Sequence, residues 1–519
     1  MKSEKTNAAK ELYKQLRVLT CDQLWNDEVP QFDRASPQER IERVGLVRAV
    51  GVVFSESGTG AQRDAVRPWL SALLNDPQEK IRRYAMAALP KIGAGAGEET
   101  ELLSLLKTTT VDREKKFVGK ALDKIGGAAT LEEIGKGSLL PQTEQKVKAS
   151  VARNQASIIR MDRALSHFAG LQIHLRGRSG LEEIVRDEVE QSARVRAKFR
   201  IDEVVPGLVA LTPTAPFCLG DIYTLRCFGT VGFVLGAVDG PHHENSEKSI
   251  EKMAAIIASE LSRRVFKTFT EGPIRYRLDF VEKGHQRGAV RLFANRAYAL
   301  CPEILNDSRS APWTISIHPN RKGNWVELIP RLSPDPRFAY RREDVPAASH
   351  PPLAASMAWL AGNHENEIVW DPFCGSGLEL IERALLGGVR MAYGTDRSAE
   401  AITITGENFA TANRNPVPSR FICCDFRDFP RIEGLRENSL TLIITNPPMG
   451  KRVPIPNLRG LIEDLFSIAA KMLKPGGRLI FANPFRIQSP DPSLKLQSRR
   501  VVDFGGFNCA LELYLKSGR

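Results

Sequence analysis

From about residue 350 the sequence alternates short apolar runs with amphipathic stretches, and this alternation restricts the fold more than any other feature. The strand-like runs are 368–371, 391–396, 420–425, 440–445, 478–483 and 510–516; the helical ones are 376–387, 398–412 and 458–473. Apolar strands separated by helices bury their backbones by pairing side by side, which predicts a doubly wound α/β domain with a mostly parallel sheet. Four of these runs end in a polar side chain at or just beyond the tip: Asp371, Asp396, Asp425 and Asn446. A parallel sheet brings such ends to one carboxyl edge, the place where folds of this kind hold ligands.

The first of the four continues into a glycine-rich turn, "IVWDPFCGSGLELIERALL". Glycine lets a backbone approach a ligand closely, and Asp371 at the strand tip can take a cation or a hydroxyl. Other glycine clusters, "GTG" at 58–60 and "GAGAG" at 93–97, follow helical segments and read as loops; only Gly375-Ser376-Gly377 has a strand before it and a helix after. Asp396, nineteen residues past Gly377, is placed to bind both ribose hydroxyls of an adenosine-containing ligand. Asp425 is positioned to accept from an adenine amino group. In "LTLIITNPPMG" the strand stops on Asn446, followed by two prolines that lack an N–H and force extended backbone. The carbonyls of Asn446 and Pro447 are thereby left to accept from an amino group, unless the turn is only a strand terminus.

Ahead of this domain lie two other kinds of pattern. "LLNDPQEKIRRYAMAALPKIG" ends at Gly93 and "LLKTTTVDREKKFVGKALDKIG" at Gly126, so the shared "KIG" recurs after 33 residues (126 − 93). Each unit reads as a helix, a turn and a second amphipathic helix, similar to HEAT-like repeats, with flanking helices expected around 38–55 and 128–155. From about 168 the pattern becomes α+β. Strands are expected at "LQIHLRG", "GLVALT" and "TVGFVLG", and helices at "SGLEEIVRDEVEQ", with a Ser179…Glu182 capping box, and at "GDIYTLRCF". A helix over 246–265 and strands over 273–281 and 288–298 follow, then strands in "PWTISIHP" and "NWVELIPRL". In "IRYRLDF" the alternation places Arg275, Arg277 and Asp279 on a wet face, where the arginines could touch phosphate.

A chain of 519 residues exceeds one hydrophobic core, so about two to four domains are expected. With 73 Lys and Arg against 61 Asp and Glu the net charge is +12, which favours polyanionic partners. The opening "MKSEKTNAAKELYKQL" lacks the apolar core of a secretory leader, and no run approaches the ~18 apolar residues of a membrane span. A cytoplasmic, non-membrane protein is expected. The eight cysteines form no CxxC pair and the eight histidines show no ligand spacing, so neither a disulfide framework nor a metal is expected. Cys423 and Cys424 read as buried strand residues rather than nucleophiles.

The strand-end acids, the "DPFCGSG" turn and "NPPM" together resemble the class I S-adenosylmethionine-dependent methyltransferases that modify exocyclic amino nitrogens. "VELIPRLSPD" and "DPRFAYRREDVPAASHPPLAASMAWLAG" resemble the join between a THUMP domain and its methyltransferase in RNA guanine-N2 enzymes, and "RGRSGLEEIVRDEV" resembles their ferredoxin-like segment. The resemblance covers about residues 165–519, and the helical front lies outside it. It implies a multidomain protein. A HEAT-like region would occupy 1–160, a ferredoxin-like segment 165–240, a THUMP-like RNA-binding domain 241–340, and a Rossmann-like class I methyltransferase domain 345–519.

The same resemblance implies roles. Asp371, Phe373, Gly375, Ser376 and Gly377 would cradle the methionine part of S-adenosylmethionine, Asp396 its ribose, and Asp425 with Phe426 its adenine. Asn446 and Pro447 would accept from the target amino group, with Pro448 holding the turn and Met449 standing where the family usually stacks an aromatic residue on the base. The expected function is methylation of guanosine N2 in tRNA, with RNA as partner and a possible protein partner at the HEAT-like region. The rivals are an rRNA guanine-N2 enzyme, a DNA adenine or protein glutamine amino methyltransferase, and a non-catalytic RNA-binding scaffold.

Overall fold

The computed structural model describes residues 11–93, 95–134, 145, 147–148, 151–152, 155–239, 247–281, 286–319, 323–346, 348–412, 417–432, 436–450, 456–485 and 487–518. The repeats at the front form stacked helices. Gly45–Ser57, Glu79–Ala88 and Asp112–Ile125 follow one another as a packed row, with Gly60–Ala72 and Ala96–Thr108 as their partners. Val47, Val50, Leu70, Ile81, Ala85, Leu102, Val118 and Leu122 close a core of their own. Charge links join successive units: Arg40 reaches the buried Asp76 at 2.8 Å, and Arg82 pairs with the buried Glu114. Of the flanking helices, the first appears as Pro37–Glu42 and Gly45–Ser57; of the second, Ala128–Ile134 is described and much of the rest lies outside the described residues.

The middle of the chain is one eight-stranded sheet. Its order is Phe199–Val205, Leu208–Pro213, Gln172–Arg176, Thr230–Asp239, Gly323–Pro330, Trp313–Pro319, Ile274–Phe280 and Ile304–Asn306. Strands from both sides of residue 240 share this sheet, joined where Thr230–Asp239 pairs antiparallel with Gly323–Pro330.

Several expectations fail here, each for a physical reason. Residues 288–298 are not a strand but lie in the helix Arg287–Leu300, because Val290, Phe293, Ala294, Ala297 and Tyr298 recur at helical spacing and face inward. The helix expected over 246–265 is two, Glu247–Ile257 and Glu260–Phe269, with Ser259 capping the second by accepting from the Ser262 amide. "GDIYTLRCF" supplies only the short helix Leu219–Ile222. The capping box fails too: Glu182 accepts from the amides of Gly180 and Gly207 instead of closing on Ser179. Arg275 is not on a wet face; it is buried against Asp307 at 3.1 Å.

The last third is the expected doubly wound sheet, with seven strands in the order Ser419–Cys423, Val389–Asp396, Glu367–Asp371, Leu440–Thr445, Leu473–Asn483, Asn508–Lys516 and Leu494–Asp503. The first five run parallel and the last two close the sheet as an antiparallel hairpin. Leu494–Asp503 was hidden by its charge; it is an edge strand whose side chains alternate between half-buried and exposed. Cys423 is exposed and Cys424 half-buried, so neither is the buried strand residue expected. Trp370, Ile443 and Leu479 face one helical layer, Leu458–Met472, while Val369, Leu442 and Ile444 face the other. The second layer is continuous with the middle sheet: Leu353, Leu378 and Leu442 share one core with Ile173, Phe233 and Val326. Among the described residues, no helix is long and apolar enough to cross a membrane.

Candidate active site

Strand order reverses between Glu367–Asp371 and Leu440–Thr445, since the chain proceeds from the first to one side of the sheet and later returns to the other. Such a switch point splays the loops apart and opens a crevice at the carboxyl ends. Asp371 and Asn446 stand on its two lips. Asp371 is fully buried; its Oδ1 accepts from the Phe373 amide at 3.0 Å and the Thr445 hydroxyl at 2.5 Å, while Oδ2 has no partner. Burial, reinforced by nearby Glu379, pushes its carboxyl well above the usual range.

The glycine turn beside it bends as only glycine readily can, with φ of +52° at Gly375 and +84° at Gly377. A methyl group on Gly377 would stand 3.0 Å from the Thr405 side chain. The turn is tied from several directions. The Gly375 amide donates to Asp396 Oδ2 at 3.1 Å, Thr405 donates to the Gly375 carbonyl at 2.8 Å, and Asn408 donates to the Ser376 carbonyl at 3.1 Å. Ser376 is buried with an unpartnered hydroxyl. Phe373 and Phe426 meet with ring centroids 4.8 Å apart, Phe426 being the buried member.

Asp425 departs from the simplest expectation. Its carboxylate accepts from the Arg427 amide at 3.0 Å and pairs with the Arg427 guanidinium at 3.1 Å, which also reaches Asp464 at 2.7 Å. Arg427 further lies 5.0 Å over the Phe426 ring. This outer corner is therefore an ion-paired rim as well as a row of acceptors.

At the other lip, Asn446 donates from Nδ2 to the Ser349 hydroxyl at 2.8 Å, and its Oδ1 is buried without a partner. Ser349 in turn donates to Glu379, on the first turn of the helix Leu378–Leu385. Pro447 is buried, and Pro448 and Met449 are half-buried beside it. The structure thus gathers Asp371, Phe373, the glycine turn, Asp396 and Asn446 at one crevice, with Phe426 and Asp425 at its outer corner. Ser349, Glu379, Thr405, Asn408 and Thr445 complete it, and sequence reasoning missed all five. Glu379 alone left a trace, as an acid in the turn after Gly377; such residues are usually solvated.

The chemistry of the crevice fits a cationic ligand. Asp371, Glu379 and Asp396 cluster around the turn, and no Lys or Arg among the described residues forms an ion pair with any of them. Unpartnered buried oxygens at Asp371 and Ser376 are open acceptors for such a group. Among the described residues no cluster of His, Cys, Asp and Glu could hold a metal ion.

Comparison with known proteins agrees with this geometry. Residues 339–491 match the family UPF0020, described as RMKL-like, methyltransferase domain. The crystal structure of TrmN from Thermus thermophilus superposes with a TM-score of 0.50 at 19% identity, covering 67% of this chain and 99% of that one, which establishes a shared fold. Two curated relatives are similar over shorter spans. A ribosomal protein L11 methyltransferase from Teredinibacter turnerae is 30% identical over 33% of this chain and 52% of its own length. A tRNA (guanine(10)-N2)-dimethyltransferase from Methanocaldococcus jannaschii is 30% identical over 28% and 40%. The chain spans about half the length of these curated relatives. The carboxyl-terminal region is a class I methyltransferase domain. Its cofactor is S-adenosylmethionine, whose sulfonium and ammonium groups are the cations the carboxylate cluster fits.

Proposed function

We propose that this protein methylates an exocyclic amino nitrogen of RNA, and specifically N2 of a guanosine in tRNA. One observation carries the reading: the Asn446 amide is fixed by Ser349 with its carbonyl oxygen left free at the switch point. The bound cofactor supplies an electrophilic methyl group. The nitrogen of a nucleobase amine is a weak nucleophile because its lone pair is conjugated with the ring. Asn446 Oδ1 and the Pro447 carbonyl accept its two N–H bonds and turn the lone pair out of that conjugation. Positioning supplies most of the acceleration, so no strong base is required. Asp371, Phe373 and the Gly375–Gly377 turn hold the methionine end, Asp396 the ribose, and Phe426 with Asp425 the adenine.

RNA as substrate is supported by the net charge of +12 and by a relative whose name specifies tRNA guanine N2. The middle sheet is read as a ferredoxin-like segment (165–240) together with a THUMP-like RNA-binding domain (241–340), and the front as a HEAT-like region offering a protein-docking face, in a cytoplasmic protein. Binding to tRNA should then weaken steeply with salt, as counterions are released from each neutralised phosphate. The test is mass spectrometry of nucleosides from tRNA and rRNA of cells with and without the protein. Loss of N2-methylguanosine from tRNA is expected. The L11-type relative supports a second reading, amino methylation of a ribosomal protein. Unchanged RNA with an unmethylated ribosomal protein would establish that reading instead.

A further inference from the structure

We infer that Ser349 and Glu379 are positioning residues that hold the Asn446 side-chain amide with its carbonyl oxygen toward the target. The inference deepens the amino-methylation reading and rests on it. Ser349 lies just before the helix Pro351–Ala361, Glu379 just after the glycine turn, and Asn446 at the end of a third element. Only the folded sheet brings them into one hydrogen-bonded line.

The direction of that line matters. An amide can present either its oxygen or its NH₂ to a target, and nothing in Asn446 itself chooses between them. The Ser349 hydroxyl proton is committed to Glu379, so Ser349 can only accept, and it accepts from Asn446 Nδ2. Asn446 Oδ1 is left as the free end of the relay, buried and without a partner. The charge on Glu379 fixes the polarity of the whole line. Protonation of Glu379 reverses it: the new carboxyl O–H donates to Ser349, the Ser349 proton is released toward Asn446, and the amide gains by turning its oxygen inward. Its NH₂ then faces the target amino group, donor against donor.

Glu379 is buried, and the groups facing it are mostly acidic. Asp371 stands at the neighbouring strand end with Asp396 beyond it, and Glu382 lies one turn along the same helix, paired with Arg226 and accepting from the hydroxyl of Tyr340, which comes from the segment before the domain. The helix Pro351–Ala361 packed against it carries no titratable side chain. Burial raises the Glu379 carboxyl to about 6, so the relay reverses close to neutrality.

The experiment follows single-turnover methyl transfer to bulk tRNA from cells lacking the protein, at saturating S-adenosylmethionine, between about pH 5 and 8. The rate of the native protein should rise with pH through about 6 and level off. Ser349→Ala should lower the plateau about tenfold and flatten the rise, Ser349→Thr should restore both, and calorimetric affinity for S-adenosylmethionine should be unchanged in each. In the unliganded native protein, the Asn446 side-chain NH₂ resonances should shift through the same pH range, and not in Ser349→Ala. A native plateau and profile in Ser349→Ala, or Asn446 resonances that ignore pH, would overturn the inference. Absence of methyl transfer by the native protein to any RNA would instead refute the amino-methylation reading, and the resonance titration would still decide whether the relay exists.

Discussion

Arg226 and Glu382 grip one another across the junction between the middle sheet and the methyltransferase domain, Nε to Oε2 at 2.6 Å and Nη2 to Oε1 at 2.8 Å. Glu382 is almost wholly buried and also receives the Tyr340 hydroxyl. Removing one member of a buried pair strands the other charge, so Arg226→Ala should cost about 3–5 kcal/mol in chemical denaturation. The double variant Arg226→Met/Glu382→Met should recover most of that loss. Equal destabilisation of single and double variants would show that packing, not charge pairing, holds the junction.

On the proposed amino-methylation mechanism, in which the Asn446 contact is made in the transition state, Asn446→Ala should reduce the single-turnover methyl-transfer rate by about 10²-fold or more, roughly 2.7 kcal/mol. Affinities for cofactor and RNA should barely change. On the proposed role of Met449, packing on the base through a polarizable sulfur, Met449→Ala should cost less and Met449→Tyr should be tolerated. A near-normal rate for Asn446→Ala would reduce the Asn-Pro-Pro turn to a strand terminus.

Asp396→Ala should weaken S-adenosylmethionine binding by about 1.5–3 kcal/mol in calorimetry, the range for hydrogen bonds to a charged group. The Gly375 amide, now bonded to Asp396 Oδ2, also loses its acceptor. A folded variant with native affinity would remove Asp396 from the site.

Glu379→Gln tests the electrostatic cost of the buried acid cluster. A carboxyl raised from 4.5 to about 6 favours the folded state while protonated; that contribution is complete below pH 4.5 and is lost as pH rises through about 6. The glutamine variant escapes the loss. It should be more stable than the native protein by about 2 kcal/mol at neutral pH, with the difference closing as the pH falls below the range of ordinary carboxylates. A stability difference that does not vary with pH would contradict this account.

The doubly wound domain was readable because its two central strands, Glu367–Asp371 and Leu440–Thr445, are short, mostly apolar and buried, and lead into Asp371 and Asn446, a signature that buried parallel strands leave. The helix Arg287–Leu300 is a different case: Phe293, Ala294, Ala297 and Tyr298 already carry a helical period, which the expectation of a strand over 288–298 passed over. Ser349 left no sign in the sequence, and Glu379 only that of an acid after the glycine turn, for another reason. Neither belongs to a local pattern, and the line they form with Asn446 spans 97 residues at one step and 30 at the other. Arg427 shows the converse: Asp425 was found by its place on the sheet edge, but its ion pair could not be inferred from that place.

The continuous core under both the eight-stranded sheet and the methyltransferase helices has a consequence for choice of target. Side chains as far apart in the chain as Ile173 and Leu442 share that interior, so a pivot of the two units would expose apolar surface and is opposed by it. The shared interior then favours one span from the middle sheet to Asn446. A polymer anchored at that sheet would offer the crevice whichever residue falls one such span away. The protein would work as a caliper, selecting its site by length along the chain rather than by reading the neighbours of the target.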